Sequence, residues 1–317
     1  MDLEFLKQYQ GSAAEPEDFD TVWDEWIESA NVFPLQYRLE EIDLSYQNVI
    51  YEKLYFKGMG DSEICCHLLR KKGDSKKPVV FLFHGYSANS GDIFDKLPYV
   101  YNDFAVAAMD VRGQGGLSED HLITQGTTWQ GHIVRGMQEG RENLFFKNVF
   151  LDTILLKRIV KQFNWCEKEK MAAVGFSQGG ALSTVCAALN EEISFAAIGY
   201  PFLSDYRKAC ELSKNGAYSA YDEIQQYFRV RDPRHEREQE VFSTLDYIDV
   251  AFLAKRMRGK ALCFVGLLDA LVPLETQFAV FNRLMCEKEW YIYPEYGHEV
   301  LPEANDIILN ELIHNFM

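Results

Sequence analysis

The chain has 317 residues, of which 47% are hydrophobic and 25% charged, and this composition excludes collagen-like and disordered classes. Its formal net charge of −16 opposes binding to phosphate backbones and anionic lipid surfaces, so we expect no nucleic-acid and no membrane partner. The seven scattered cysteines do not resemble a disulfide framework, and the first residues lack the pattern of a signal peptide. These features predict a cytoplasmic protein.

The first 75 residues predict a helix followed by antiparallel strands. Phe19, Val22 and Trp23 share a helical spacing with Trp26, which is typical of a helix with one buried face. Residues 42–70 then alternate between apolar and polar side chains, with glycines that indicate a turn.

Short apolar runs, typical of strands buried on both faces, alternate with helical stretches through the rest of the chain. The runs cover residues 79–83, 105–109, 171–175, 195–198, 262–265 and 290–293, and the helical stretches cover 149–163, 179–189, 275–285 and 304–316. This alternation predicts a mostly parallel sheet with helices on both faces.

One segment breaks this alternation. Residues 204–259 are rich in charge and helical in texture, and we interpret them as a helical cap insertion. We expect a single domain over residues 1–317, with residues 1–75 as its N-terminal extension.

The strongest local motif is Gly-Phe-Ser-Gln-Gly at positions 175–179, between a predicted strand and a predicted helix. Gly-x-Ser-x-Gly in this context indicates a nucleophile elbow, a strained turn that exposes the hydroxyl of Ser177. An ordinary glycine-rich turn is the alternative. The backbone N–H of Gln178 then lies at a helix N-terminus, where it can bind an oxyanion.

A serine nucleophile needs a histidine base and an orienting carboxylate, which follow it in this order in α/β-hydrolases. Three histidines follow Ser177. His235 lies in the charged insertion and His314 in the last helical stretch, whereas His298 follows a predicted strand. Asp269 also follows a predicted strand, although it could instead cap the next helix. We predict Ser177, Asp269 and His298 as the catalytic residues.

The second oxyanion donor is expected in the loop after an early strand. The sequence His84-Gly-Tyr86 occupies that position, and the backbone N–H of Tyr86 is the candidate. We expect His84 to shape the loop. The aromatic rings of Tyr86 and Trp129 are candidates for stacking on a sugar, with core packing as the alternative.

No cofactor and no metal are expected. His298-Glu299 begins like a zinc-binding HExxH motif, but Pro302 stands where the second histidine belongs. Cys65, Cys66 and His67 are metal-ligand types, but adjacent positions on a strand point to opposite faces. The glycines that begin at Gly113 do not complete a dinucleotide-binding motif.

With these motifs in hand, the sequence resembles the acetyl xylan esterase / cephalosporin C deacetylase group, carbohydrate esterase family seven. That group is marked by Arg-Gly-Gln, Gly-x-Ser-Gln-Gly and His-Glu motifs. All three occur here in order, as Arg112-Gly113-Gln114, the motif at 175–179, and His298-Glu299. The resemblance extends over nearly the whole chain. A departure from the pattern is Val300-Leu301-Pro302, which replaces glycines after the His-Glu pair and suggests a narrower or more apolar entrance.

The resemblance implies an α/β-hydrolase fold and a serine esterase that removes acetyl groups from small substrates, such as acetylated xylo-oligosaccharides and cephalosporin C-type esters. It implies Ser177, His298 and Asp269 as the triad, and the backbone of Tyr86 and Gln178 as the oxyanion hole. Arg112, Gly113, Gln114 and Glu299 are then supporting residues. It also implies a cytoplasmic homohexamer. Thioesterase, peptidase or acetyltransferase chemistry on the same fold remains the alternative, and a catalytically inactive binding protein is a more distant one.

Overall fold

A nine-stranded sheet runs through the part of the chain that the structure, a computed structural model, describes: residues 3–125, 131–214 and 219–317. Its strand order is β1-β2-β3-β5-β4-β6-β7-β8-β9. The strands are β1 Tyr37–Glu41, β2 Val49–Lys57, β3 Glu63–Lys71, β4 Lys77–Phe83, β5 Ala105–Met109, β6 Cys166–Phe176, β7 Ile193–Gly199, β8 Lys260–Gly266 and β9 Lys288–Tyr293.

Helices cover both faces of this sheet. In the described ranges they are α1 Leu3–Leu6, α2 Phe19–Val32, α3 Leu97–Tyr101, α4 Phe145–Val160, α5 Gln178–Leu189, α6 Tyr206–Ser213, α7 Asp222–Arg231, α8 Glu238–Leu245, α9 Val250–Ala254, α10 Leu274–Arg283 and α11 Ala304–Phe316. None of these helices combines the length and the apolar character that a membrane span requires.

The sheet changes character at β5. Strands β1, β2, β3 and β5 pair antiparallel, whereas β5, β4, β6, β7, β8 and β9 pair parallel. This arrangement confirms the predicted α/β-hydrolase fold with an antiparallel N-terminal extension. Helices α6 to α9 follow β7 and precede β8, where the sequence predicted a helical insertion.

Alternation along the central strands divides the core into two apolar clusters, one on each face of the sheet. Val79 and Phe81 of β4 point into the cluster beneath α4, α5 and α10, whereas Val80 points into the cluster beneath α3 and α11. Because helices cover both faces, both sets of side chains are apolar.

The N-terminal helix α2 adds an aromatic layer to the first cluster. Trp23 is fully buried, with its ring centroid 6.1 Å from that of Phe150 on α4. Its indole N–H donates to the carbonyl of Tyr247, 2.9 Å away. The predicted amphipathic spacing of α2 therefore corresponds to a face buried against the main body.

Most of the observed strands extend a few residues beyond the predicted apolar runs, and two strands, β1 and β6, depart further from the prediction. Strand β1 was not predicted, because all five of its residues are exposed and it has no apolar alternation. Strand β6 begins at Cys166 and includes the polar stretch 167–170 ahead of the predicted run. All five residues of β1 pair with β2, so backbone pairing supplies what its side-chain pattern lacks. Strand β6 pairs with β4 at Cys166 and again from Met171, with an irregularity between them.

Candidate active site

Four of the parallel strands carry the predicted site residues just beyond their carboxyl ends. Tyr86 follows β4, Ser177 follows β6, Asp269 follows β8 and His298 follows β9. The carboxyl ends of parallel strands meet at one edge of an open sheet, and sites form in the crevice outside it. The order of strands therefore brings residues from four separated parts of the sequence to the same edge.

Ser177 occupies a strained turn between β6 and α5. Its backbone angles are φ 60° and ψ −123°, a region that residues with side chains seldom adopt. The flanking glycines are required by close approach. A side chain at Gly179 would collide with the carbonyl oxygen of Phe83, and one at Gly175 would collide with the backbone of Gly179. The serine is partly exposed at the resulting corner.

Asp269 and His298 form a hydrogen-bonded pair. Oδ2 of Asp269 lies 2.8 Å from Nδ1 of His298, and the Asp269 side chain is fully buried. The same carboxylate accepts from the backbone N–H groups of Leu271 and Val272, at 2.8 and 2.9 Å, and from the Gln277 amide at 3.0 Å. An acceptor on the Nδ1 side places the imidazole proton there and leaves Nε2 free to accept a proton.

The alternative role for Asp269, a cap of the next helix, does not match the geometry. Helix α10 begins at Leu274, and Pro273 is the residue at its N-cap. Asp269 instead closes the turn that follows β8 and holds the histidine.

Tyr200 connects the histidine loop to the serine elbow. Its ring centroid lies 4.4 Å from that of His298 and 5.4 Å from that of Phe176, the residue before Ser177. Its hydroxyl donates to the carbonyl of Glu299 at 3.0 Å. The orientation of His298 is therefore fixed by the Asp269 carboxylate on one side and by an aromatic contact on the other.

Tyr86 is held by a residue that sequence reasoning missed. Its hydroxyl donates to Oε1 of Glu223 at 2.6 Å, and Oε2 of Glu223 accepts from the backbone N–H of Ile133 at 2.8 Å. Glu223 is buried on α7. A signal for it did exist, because Glu223 lies four positions before Tyr227 and shares the buried face of the helix with Ile224 and Tyr227.

The ring of Tyr86 packs in the interior. Its centroid lies 5.4 Å from that of Phe202 and 6.4 Å from that of Phe146. These contacts favour the core-packing alternative over sugar stacking. Trp129, the other stacking candidate, lies outside the described residues.

Gln114 and Gln178 join the two loops that carry the predicted oxyanion donors. Their side-chain amides pair in both directions, at 2.7 and 3.0 Å, and Oε1 of Gln114 also accepts from the backbone N–H of Ser87 at 2.9 Å. Gln178 is the first residue of α5, so its N–H is one of the unpaired groups at a helix start. Gly113 has φ +60°, a conformation suited to glycine, and it lets the chain turn between Arg112 and Gln114.

Arg112 supports the site from the interior. Its guanidinium makes a bidentate contact with Asp152 of α4, at 2.7 and 2.8 Å, and donates to the carbonyl of Met59 at 2.9 Å. Arg112 and Asp152 are each 1% exposed. Burial raises the pKa of Asp152, which the adjacent Arg112 opposes. Arg112 therefore connects α4 to the loop that carries Gln114.

The three histidines that the sequence analysis set aside as bases, His84, His235 and His314, have other surroundings in the structure. Nε2 of His84 accepts a hydrogen bond from the N–H of Val111 at 2.9 Å, and Nδ1 of His84 lies 2.8 Å from the carbonyl of Gly85. Burial lowers the pKa of the His84 imidazole. His235 stacks on Phe228 with a centroid separation of 4.3 Å, and His314 is exposed on α11. Both ring nitrogens of His84 are engaged by the backbone, so it shapes the loop.

The three residues after His298 differ in how far their side chains are exposed to solvent. Glu299 is exposed and its carboxylate accepts from the N–H of Gly297 at 3.0 Å. Val300 is 83% exposed, whereas Leu301 is buried in the cluster beneath α11. Leu301 thus packs away from solvent, and Val300 is the apolar side chain that this segment presents at the surface.

The fold and the strand-end arrangement place the chain among the α/β-hydrolases. Residues 1–314 match the acetyl xylan esterase (AXE1) family, and the chain belongs to that family. It is a carboxylic ester hydrolase.

Solved structures of similar proteins agree with this assignment. Acetyl xylan esterase 1 from Thermoanaerobacterium sp. JW/SL YS485 is 41% identical, with a TM-score of 0.96 over 100% of this chain and 99% of that one. Acetyl xylan esterase from Paenibacillus sp. R4 is 30% identical, with a TM-score of 0.94 over the full length of both chains. Acetyl esterase Axe7A from Xylanibacter ruminicola is 24% identical over 309 residues, which are 95% of this chain and 67% of that protein.

Proposed function

We propose that this esterase removes acetyl groups from small O-acetylated substrates, such as acetylated xylo-oligosaccharides and cephalosporin C-type acetyl esters, with Ser177, His298 and Asp269 as its triad. The observation that carries the proposal is the 2.8 Å contact between Asp269 and His298 at the sheet edge that also presents the strained Ser177 turn. Family membership favours ester hydrolysis over thioesterase, peptidase and acetyltransferase chemistry.

The reaction proceeds in two halves. His298 removes the proton from the Ser177 hydroxyl as its oxygen attacks the acetyl carbonyl, and the N–H groups of Tyr86 and Gln178 stabilise the oxyanion. His298 then donates that proton to the departing sugar oxygen, leaving an acetyl-serine. Water attacks the acetyl carbon with His298 again as base, which releases acetate and restores the serine hydroxyl.

The buried carboxylate of Asp269 serves this cycle electrostatically. It fixes the Nδ1–H tautomer and stabilises the imidazolium that forms in each half, without accepting the proton itself. Three further hydrogen bonds from Leu271, Val272 and Gln277 hold the carboxylate, so it cannot turn away from the histidine without losing them.

The test is acetate release from an acetylated xylo-oligosaccharide by the unmodified enzyme and by Ser177→Ala. We expect release by the former and a loss of at least about 1000-fold in the variant. Ser183→Ala is the matched control. Ser183 is a buried serine of helix α5, and its hydroxyl donates a hydrogen bond to the carbonyl of Gly179. Equal rates of acetate release by the unmodified enzyme and by Ser177→Ala would overturn the assignment of Ser177 as the nucleophile. No release from this substrate or a cephalosporin C-type ester would overturn the substrate class.

We further propose that the protein is a cytoplasmic homo-oligomer, a hexamer, as the family resemblance implies. Light scattering of the purified protein tests this, and a mass equal to one chain at working concentration would contradict it.

A further inference from the structure

Cys65, His67 and Asp110 form a compact cluster that the esterase mechanism does not use. One potential ligand atom from each lies within 4.8 Å of the other two. Cys65 and His67 stand two positions apart on β3 and so point to the same face of the sheet, whereas Cys66 points into the apolar cluster on the opposite face. Asp110 directly follows β5, the strand that pairs with β3.

We propose that Cys65, His67 and Asp110 bind one zinc ion. The donor set of thiolate, imidazole and carboxylate is the combination that Zn²⁺ takes in proteins. Three protein ligands leave a fourth position for a water molecule, and the site is independent of the proposed deacetylation.

The separation of His67 from Asp110 fits a shared ion better than a direct hydrogen bond. Nε2 of His67 lies 3.5 Å from Oδ2 of Asp110, beyond the usual range for a strong contact between these atoms. Two ligands on a tetrahedral zinc, each about 2.1 Å from the metal, stand about 3.4 Å apart. The pair therefore needs little movement to bind the ion.

Tyr51 supplies the contact that an imidazole ligand requires on its other nitrogen. Its hydroxyl lies 2.6 Å from Nδ1 of His67, and the two rings are stacked within 8° of parallel. Metal-bound histidines almost always donate their second N–H to an acceptor, which fixes the tautomer and directs the free nitrogen at the metal. Here that arrangement directs Nε2 toward Asp110.

Asp110 is a buried carboxylate that lacks a full cationic partner. It is 1% exposed and accepts from the N–H groups of Ser90 and Leu117, at 2.8 and 2.9 Å. Within the described residues, no lysine or arginine nitrogen lies within 4.0 Å of it. The Ser90 and His67 side chains also approach this carboxylate, so a metal ion would take the acceptor position that now faces His67. Burying the carboxylate charge without a full cation is costly.

A cleft open to solvent reaches two of the three proposed ligands, His67 and Asp110, whereas Cys65 is fully buried. His67 and Asp110 line a cleft of about 280 Å³ bordered by Ser90 and Gly116. The carboxylate of Asp110 packs so closely on Gly116 that any side chain there would collide with it. The loops around this cleft also carry Ser87 and Gln114, so metal binding is expected to stabilise the segments that lead to the predicted oxyanion donors.

The test is titration of the chelator-treated enzyme with Zn²⁺, in competition with a chromophoric chelator. We expect one equivalent to bind at micromolar or lower concentration, with the affinity reduced at least about tenfold in Cys65→Ser, in His67→Ala and in Tyr51→Phe. Cys66→Ser is the matched control, because it changes an equally buried neighbour on the other face and should bind as the unmodified protein does. His298→Ala should also bind normally, which excludes zinc at the predicted catalytic pair.

Cobalt gives a second readout that does not depend on activity. Co²⁺ bound to a thiolate produces a near-ultraviolet charge-transfer band, which should be present in the unmodified protein and Cys66→Ser and absent in Cys65→Ser. If His67→Ala fails to fold, Cys65→Ser and Tyr51→Phe still decide the question. Absence of a saturable equivalent, or equal affinity in Cys65→Ser and Cys66→Ser, would show that the cluster serves only internal hydrogen bonding and would overturn the proposal.

Discussion

The hydroxyl of Tyr86 donates a 2.6 Å hydrogen bond to the carboxylate of Glu223, across 137 positions of sequence. This contact joins the loop after β4 to helix α7. The other oxygen of Glu223 accepts from the backbone N–H groups of Ile133 and Val134, at 2.8 and 3.4 Å. A single buried carboxyl group thus connects three segments of the chain, one of which carries a predicted oxyanion donor.

Replacing Glu223 is expected to reduce turnover, because Glu223 holds Tyr86 in position. Glu223→Ala removes the acceptor that fixes this loop, and a small displacement of an oxyanion donor is costly. We expect kcat for an acetyl ester to fall about 10- to 100-fold, with KM changed much less. Glu223→Gln should recover most of the activity, since its amide can still bond Tyr86 and Ile133. The exposed neighbour Asp222→Ala is the control, and an equal loss in both alanine variants would contradict a specific role.

The same carboxyl makes stability depend on pH. Burial raises the pKa of Glu223 to about 8, whereas in the unfolded chain it is about 4.3. Between these values the folded state retains a proton that the unfolded state has lost, so the free energy of unfolding decreases as pH rises and levels off above about 8. Urea unfolding from pH 5 to 9 should show this decline, by up to a few kcal/mol, relative to Glu223→Gln. A difference between the two proteins that does not vary with pH would refute the assignment.

Asp269→Asn is expected to leave a folded but nearly inactive enzyme. An asparagine amide can present its N–H₂ to Nδ1 of His298, which favours the wrong tautomer and removes the charge that stabilises the imidazolium. We expect kcat to fall about 10⁴-fold, measured as the rate of acetate release at a saturating substrate concentration. Glu299→Gln tests the neighbouring carboxylate and should stay within a few-fold of the unmodified enzyme, because the Glu299 side chain is exposed and accepts a hydrogen bond from the N–H of Gly297. A similar effect of both changes would argue against Asp269 as the orienting residue.

Gln114→Ala is expected to loosen the two oxyanion loops together. It removes both amide contacts to Gln178 and the acceptor for the N–H of Ser87. We expect a decrease in kcat of about tenfold or more, determined from steady-state rates, with little change in unfolding midpoint. Gln239→Ala on the exposed surface of α8 serves as the control. Unchanged kcat in Gln114→Ala would mean that the loops hold their positions without this pair.

Arg112→Met is expected to destabilise the fold. It leaves the fully buried carboxyl of Asp152 without its bidentate partner, and breaking a buried ion pair on one side costs about 3–5 kcal/mol. The double variant Arg112→Met with Asp152→Leu removes both charged groups and should recover a substantial part of the loss. Urea unfolding measures both proteins. Equal stability of the single and double variants would show that the penalty does not come from the stranded carboxyl.

Much of the fold was readable from the sequence. The run at 105–109 coincides with strand β5, and the helical stretch at 304–316 coincides with α11, because burial on one or both faces imposes a strong apolar pattern. The exposed strand β1 has no such pattern and was missed. The family and the ester hydrolase class also followed from motifs within the sequence, since each is a short run of residues under local constraint.

The sequence by itself determined the features whose causes are local. The Ser177 turn requires glycines within two positions of it, and Asp269 and His298 each follow an apolar run that defines a strand; their catalytic roles stay predictions.

Only the tertiary structure decided the partners. Glu223 meets Tyr86, and Asp110 meets His67 and Cys65, through pairing and packing of segments that are distant in the chain. From the sequence, Cys65, Cys66 and His67 were not expected to form a metal site, because adjacent positions on a strand point to opposite faces. The sheet instead placed Asp110 beside Cys65, since the pairing of β3 with β5 and not sequence distance decides which side chains share a face.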